Sequence, residues 1–345
     1  MIFSFFLFKD SIFSYFSQDD FFHLRVVMTK DVKDIPSFFI SLQKEYAFYR
    51  PLSRETFNLL MYKTFQLNPL PFHIFNYLLI IANTILCYLL VKKISIDKTL
   101  GFFCALLYAL STIHSIELYY LASVQTLFTT FFLLLSIYFY ISFSIKSNIR
   151  KYFFSILFYI FALLSHETAV VLSGILFVLT IFFKINKKIS YKFLFLLIPF
   201  FMLTIFYLFH TGLFNNLPNQ QVYRPIFSIK SIVNTLGWYI LWSFGLSEII
   251  IDYIGPKFQV NPNLLKWYSD YIQIISSALV MLVLSLFFYG YAYKKKLITN
   301  IYLLLIIASF YVMSLSPFLF FPQHKSSYYM SFSTIWFSIF IAIIL

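Results

Sequence analysis

Continuous apolar runs, each roughly 14–22 residues long, recur along nearly the whole of this 345-residue chain. A helix needs about 20 apolar residues to cross the hydrocarbon core of a bilayer, so this pattern limits the fold more than any motif does. A transmembrane β-barrel would show shorter segments alternating in polarity, and these runs are unbroken. Composition agrees: 61% of residues are apolar, 23% aromatic and only 11% charged, where soluble domains carry about 25% charged residues. The expected fold is all-α, a polytopic transmembrane helical bundle of about 9–11 helices forming one membrane domain over residues 1–345.

The net charge of +13 does not point to nucleic acid, because the basic residues sit in short clusters between apolar runs. "KKISIDK" (92–98), "KSNIRK" (146–151), "KINKKISYK" (184–192) and "KKK" (294–296) together hold thirteen Lys and Arg residues and one acid, Asp97. By the positive-inside rule these are cytoplasmic loops. Cys87 and Cys104 lie within apolar runs and read as buried thiols, with no disulfide framework or metal spacing.

Spans are then expected at 72–91, 99–113, 123–145, 152–165, 168–183, 193–209, 272–293, 300–319 and 328–345. Parity sends 17–71, 114–122, the 166–167 turn, 210–271 and 320–327 to the outer face of the plasma (inner) membrane, facing the periplasm or exterior. The loops at 17–71 and 210–271 are the largest. Eleven of the thirteen acids fall in these outer segments: Asp19, Asp20, Asp31, Asp34, Glu45, Glu55, Glu117, Glu167, Glu248, Asp252 and Asp270. The positive-inside rule does not require that, so the outer face is where chemistry is expected. "LGWYILWSFGLSEIII" (236–251) is apolar enough to cross but would break the parity. It reads as an interfacial or re-entrant helix with Trp238, Tyr239 and Trp242 at headgroup depth. "MIFSFFLF" before Lys9 is too short to span. Residues 2–16 are therefore a stunted first helix, or the chain is a piece of a longer product; no signal-peptide pattern is present.

Five short stretches carry candidate chemistry. "FSQDDFFHLR" (16–25) sets Asp19 and Asp20 between aromatics, with His23 one turn from Asp19 if the stretch is helical. Acids also suit a solvated first helical turn; a carboxylate partly desolvated by Phe21 and Phe22 would instead suit a general base or a metal ligand. Arg50 and Arg54 precede or enter an amphipathic helix at about 53–66 and could pair with phosphate or merely with headgroups. Glu117, beside a span with no basic neighbour in sequence, is expected to be functional. In "LLSHETAVVLSG" (163–174), Ser165 or Thr168 could cap the next helix and Glu167 suits its dipole, but neither explains His166. In "FFPQHKSSYYMS" (321–332), His324 and Lys325 beside Tyr328 and Tyr329 suit a phosphate leaving group or a basic snorkel at the interface. Gly-rich phosphate loops, HExxH and GxSxG are absent, and seven glycines cannot furnish a nucleotide-binding domain.

In order, "QDDF", "YRPLSRETFNLL…LNPLPFHIFNYLL", "YALSTIHSIELYYLASVQTLF", "LLSHETAVVL" and "FFPQHKSSYYMSFSTI" resemble membrane glycosyltransferases of the type C fold. Those enzymes use polyprenyl-phosphate sugars and include protein mannosyltransferases, lipid A aminoarabinose transferases and TPR-containing transmembrane mannosyltransferases. The resemblance implies a polyprenyl-phosphate sugar donor, a protein, lipid or glycan acceptor, and Asp19 or Asp20 as catalytic base. Ser165, His166 and Glu167 match a turn in which Lys usually stands at the place of His166. Gln125 stands where Arg is frequent. Arg50, His166, Arg224, His324 or Lys325 would neutralise the departing phosphate. No cofactor is required, although Asp20 with Glu117 could hold a divalent cation, Mg or Mn. The alternatives are a lipid-linked glycan ligase or polymerase, and a membrane transporter or flippase.

Overall fold

The computed structural model describes residues 2–40, 48–185, 192–212, 223–255, 259–292 and 294–344, and among these it is helical with no β-strand. Glu45 and most of the 184–192 basic cluster lie outside the described residues. The chain opens with α1 (Ile2–Phe8), α2 (Asp19–Met28), α3 (Ile35–Ile40) and α4 (Phe57–Phe65), the last preceded by a π-helical turn at Pro51–Thr56. Then come α5 (Leu70–Ser95), α6 (Lys98–Ala109), α7 (Ile113–Tyr119), α8 (Val124–Lys146) and α9 (Ile149–Leu163). The second half holds α10 (Leu172–Ile185), α11 (Lys192–Phe195), α12 (Ile198–Thr211), α13 (Ile229–Ser243), α14 (Pro262–Ala292), α15 (Lys294–Leu319) and α16 (Ser333–Ile344).

Five helices are long and apolar enough to cross a membrane, and a sixth crossing results if α6 and α7, bent by 54°, count as one. The helix from 167 to 183 and α16 are apolar but shorter. So is α9: its 15 residues reach only about 22 Å at 1.5 Å per residue. The nine expected runs are therefore helical, but not all have the length of a span.

Two basic turns are built alike. Ile96 (φ 63) and Ser147 (φ 51) end α5 and α8 in the left-handed region. The next residue in each case caps the following helix: Asp97 Oδ1 accepts from Thr99 N at 2.7 Å and Asn148 Oδ1 from Arg150 N at 3.0 Å. This accounts for Asp97, the lone acid among the basic clusters. The helices these turns join pack closely. Ser136 and Ser155 exchange hydroxyl-to-carbonyl bonds of 2.7 and 2.8 Å between α8 and α9, and small polar residues permit such approach. Tyr140 reaches Thr180 and Tyr159 reaches Thr204, tying α8 to α10 and α9 to α12.

Two expectations about the second half need correction. Trp238, Tyr239 and Trp242 are buried in the main core at the end of α13, so protein rather than a headgroup layer surrounds them. Gly245, at φ +95, turns the chain out of that helix. The helix expected from 272 begins at Pro262, with a kink at Tyr268, so the second long loop is shorter than the sequence suggested.

The connections that parity assigned to one face do meet at one end of the helices. Leu52 N donates to Leu164 O at 3.0 Å and Ser53 Oγ to Ser165 O at 2.5 Å. Tyr120 reaches Asp19, and Glu248 accepts from Ser327 N at 2.7 Å. The turns at 96–97 and 147–148 lie at the opposite ends of α5 and α8.

Candidate functional site

The adjacent acids diverge. Gln18 (φ 45) turns the chain sharply into α2, and the two side chains leave its first turn in different directions. Asp20 is 3% exposed and saturated. Its Oδ2 accepts from Ser17 N at 2.9 Å and from Ser17 Oγ, and its Oδ1 accepts from Ala122 N at 2.6 Å. Burial pushes its carboxyl up to about 6 against the backbone hydrogen bonds that pull it down. Asp19 is exposed and takes one hydrogen bond, 2.7 Å, from the Tyr120 hydroxyl. Phe21 and Phe22 are exposed and do not desolvate the pair; the 121–123 turn buries Asp20 instead. The expected equivalence of the two acids is thus replaced by a division: Asp20 pins a loop, and Asp19 faces outward. His23 is not Asp19's partner on a shared open face, because it is buried against Gln125.

Behind Asp19 runs a line of polar groups from four segments. Arg50 Nε donates to Glu167 Oε2 at 2.8 Å and Nη2 to Oε1 at 2.6 Å, a bidentate pair. Its Nη1 donates to Gln125 Oε1, and the amide of Gln125 reaches the His23 ring at 3.2 Å. His166 Nε2 lies 3.7 Å from Glu167. The residue expected as a free phosphate contact, Arg50, is therefore already committed. It also places its charge at the position Gln125 leaves neutral. Burial pushes the Glu167 carboxyl up, but Arg50 and then His166 outweigh it and hold it down at about 2. His166 is lowered to about 3, by burial first and by Arg50 second. His23 is held well below its ordinary value by burial and by Arg54 and Arg50. Neither Ser165 nor Thr168 caps the helix that follows: the His166 ring accepts from Thr168 N at 3.3 Å, so the histidine itself is the cap. Arg54 pairs with Glu55 inside the fold and donates to Phe48 O at 2.7 Å.

The late loop closes over this line. His324 Nε2 and the Tyr329 hydroxyl are 2.6 Å apart, and Tyr328 OH donates to Tyr329 OH at 2.8 Å. Tyr328 packs on Tyr120 at 5.6 Å, and Tyr223 packs on His324 at 4.4 Å. Glu248 holds the loop through Ser326 and Ser327. His324 and Lys325 are both half-buried, and burial lowers both. Arg224, next to Tyr223, is exposed.

Of the expected residues, then, Asp19, Asp20, His23, Arg50, His166, Glu167, His324 and Tyr328 belong to one linked group. Glu117 does not. It is fully buried and pairs with His114 Nδ1 at 2.6 Å. Asp20 and Glu117 each face their own partners, and among the described residues no three or more His, Cys, Asp or Glu gather as metal ligands. Tyr120, Tyr223 and His114 were missed. Only His114 had a signal, the i, i+3 spacing to Glu117 on a helix.

The chain matches no family model, no curated protein and no solved structure among known proteins.

Proposed function

We propose that the chain is a multi-pass membrane glycosyltransferase that moves a sugar from a polyprenyl-phosphate donor to an acceptor hydroxyl at the loop-rich end of its helices. The observation that carries this reading is the meeting of an outward-facing carboxylate, Asp19, with the tyrosine and histidine groups of three distant segments. General-base transfer needs a carboxylate open to the acceptor, and Asp19 meets that need better than the saturated Asp20. The acceptor oxygen attacks the anomeric carbon as its proton passes to Asp19. The bond from that carbon to the phosphate oxygen breaks, and the electron pair leaves on the lipid phosphate.

Arg50 is neutralised by its bidentate pairing with Glu167. The leaving phosphate therefore draws on the hydroxyls of Tyr223 and Tyr328 and on Lys325, His324 and Arg224. Donors fixed in place before the reaction act without reorganisation, which is why such groups lower barriers. The lipid carrier supplies the leaving group, so no nucleotide domain is needed.

The test is an incubation of membranes containing the chain with radiolabelled polyprenyl-phosphate sugars. Label moved from the lipid to an acceptor supports the reading. Label crossing the membrane with no covalent product would contradict it in favour of a transporter, the rival that the bent α6–α7 pair beside a buried ion pair favours. Transfer of a preassembled oligosaccharide alone would point to a ligase.

A further inference from the structure

Asp19 and Asp20 diverge, yet both close on one turn, residues 120–122. Asp20 Oδ1 accepts from Ala122 N at 2.6 Å, and Asp19 Oδ2 accepts from the Tyr120 hydroxyl at 2.7 Å. Asp20 holds the backbone of the turn, and Asp19 meets a side chain that the turn carries. The proposed transfer uses Asp19 and leaves Tyr120 without a role.

Tyr120 sits on a fixed mount. Its N–H donates to Ile116 O at 2.9 Å, and its carbonyl accepts from Ser123 N at 3.1 Å. Ser123 Oγ donates to Glu117 O at 2.9 Å. From α5, Asn76 Nδ2 donates to Glu117 O at 3.1 Å and His73 Nδ1 meets Leu118 O at 2.8 Å. Glu117, Leu118, Ala122 and Ser123 are all buried. Buried backbone groups must find partners within the protein, and here the partners come from α2, α5 and the turn itself. The phenol is therefore an arm whose root is set by three segments.

The arm is also confined sideways. Its ring packs on that of Tyr328, with centroids 5.6 Å apart and planes inclined by 53°. Burial, then the Tyr328 hydroxyl and Asp19, raise the Tyr120 hydroxyl above its ordinary range, so it stays protonated and faces the carboxylate as a donor. Asp19 is exposed, and an exposed side chain samples several staggered rotamers. The bond at Oδ2 selects among them. Among the described residues no other hydrogen bond reaches this carboxylate, which leaves Oδ1 for an acceptor. Orientation matters to a general base, because a misplacement of about 1 Å can cost a reaction on the order of 100-fold.

Resting on the transferase reading, we propose that Tyr120 is the positioning residue of Asp19: its hydroxyl holds Oδ2 in place so that Oδ1 takes the proton of the acceptor. Tyr120 keeps its own proton throughout. The acceptor O–H bond breaks toward Oδ1, and its oxygen bonds the anomeric carbon as the lipid phosphate leaves with the electron pair. Tyr120→Phe tests this, because it keeps the ring that packs on Tyr328 and removes only the hydroxyl. The variant and the parent are reconstituted into lipid vesicles with a labelled polyprenyl-phosphate sugar, and turnover is counted per folded chain. kcat should fall about tenfold, with KM for the donor within about twofold of the parent's and the thermal midpoint within about 2 °C. In an Asp19→Asn background the same change should cost nothing further, because the base that it orients is gone. A Tyr120→Phe protein that turns over at the parent rate would overturn the proposal. So would an equal loss in the Asp19→Asn background, which would mean that Tyr120 acts elsewhere. A loss confined to KM, or matched by a fall in the midpoint, would mark a substrate contact or a structural prop and would also overturn it. In all these cases the parent is active and the transferase reading stands. A parent that moves no label overturns that reading and the role of Tyr120 together.

Discussion

Two of the ion pairs buried among the described residues, Arg50–Glu167 and His114–Glu117, are built to opposite specifications. Arg50 and Glu167 meet through two parallel hydrogen bonds, with Gln125 on the guanidinium and His166 near the carboxylate. Every strong group in that pair has a partner. His114 and Glu117 meet through one bond, and the second carboxylate oxygen has none. The first pair joins segments 117 residues apart and sets the floor of the proposed transfer site. The second joins residues three apart and holds the bend between α6 and α7, because the same His114 ring meets Tyr108 O at 2.7 Å. The first pair, closed on itself, is scaffold for distant segments, whereas the second fixes one local bend.

The largest expected effect comes from breaking the closed pair. Arg50→Met or Glu167→Gln alone leaves a buried group uncompensated and should cost about 3–5 kcal/mol in unfolding free energy. Combining Arg50→Met with Glu167→Met should recover much of that loss, because no charge is then stranded. A double variant as unstable as the sum of the singles would show that the two residues do not act as a pair. The His114–Glu117 pair should be cheaper to disturb by a conservative change: Gln keeps a donor within reach of the carboxylate, so His114→Gln should cost about 1–3 kcal/mol, the scale of one buried hydrogen-bond partner lost. Denaturant titration in detergent measures both.

Acid should act mainly on the region around the closed pair. His23, His166 and His324 are all depressed by burial. The stability each contributes is full above the unfolded histidine value of 6.5 and is lost progressively as pH falls below it. Asp20 works the other way. Its carboxyl is raised from 3.8 to about 6, so its contribution is greatest at low pH and is lost as pH rises through about 6. Three depressed histidines outweigh one raised acid, so the thermal midpoint should fall between about pH 7 and pH 5. Replacing His23 and His166 by Gln should flatten that fall, and an unaltered slope would place the titration elsewhere. The smallest shift belongs to Asp20→Ala, which should slightly steepen the same fall by removing the opposing term.

Much of the fold was legible because long apolar runs and clustered lysines are strong, local signals. The spans expected at 72–91 and 123–145 lie within α5 and close to α8, and the one expected at 300–319 ends with α15, although that helix begins at Lys294, within the lysines expected to form a loop. The shared end of the 17–71, 114–122, 166–167 and 320–327 segments followed from charge parity alone. Side-chain assignments were harder. Nothing local distinguishes Asp19 from Asp20; the distinction is made by Ala122 and Tyr120, about a hundred residues away. Arg50 looked free because its partners, Glu167 and Gln125, lie 117 and 75 residues away in sequence. Trp238 and Trp242 looked interfacial because aromatic composition cannot tell a headgroup layer from a packed core. Glu117 was noticed, but its partner His114, three residues away, was readable and was passed over.

The central claim is that two neighbouring carboxylates do different work. Asp19→Asn and Asp20→Asn, both reconstituted into lipid vesicles and assayed with a labelled polyprenyl-phosphate sugar, test it most directly. Asp19→Asn is expected to fold as the parent does and to lose about 100-fold or more in turnover, with donor binding retained. Asp20→Asn is expected to lose stability first and activity only in proportion. An Asp19→Asn protein that turns over at the parent rate, or an Asp20→Asn protein that is stable but inert, would contradict the account.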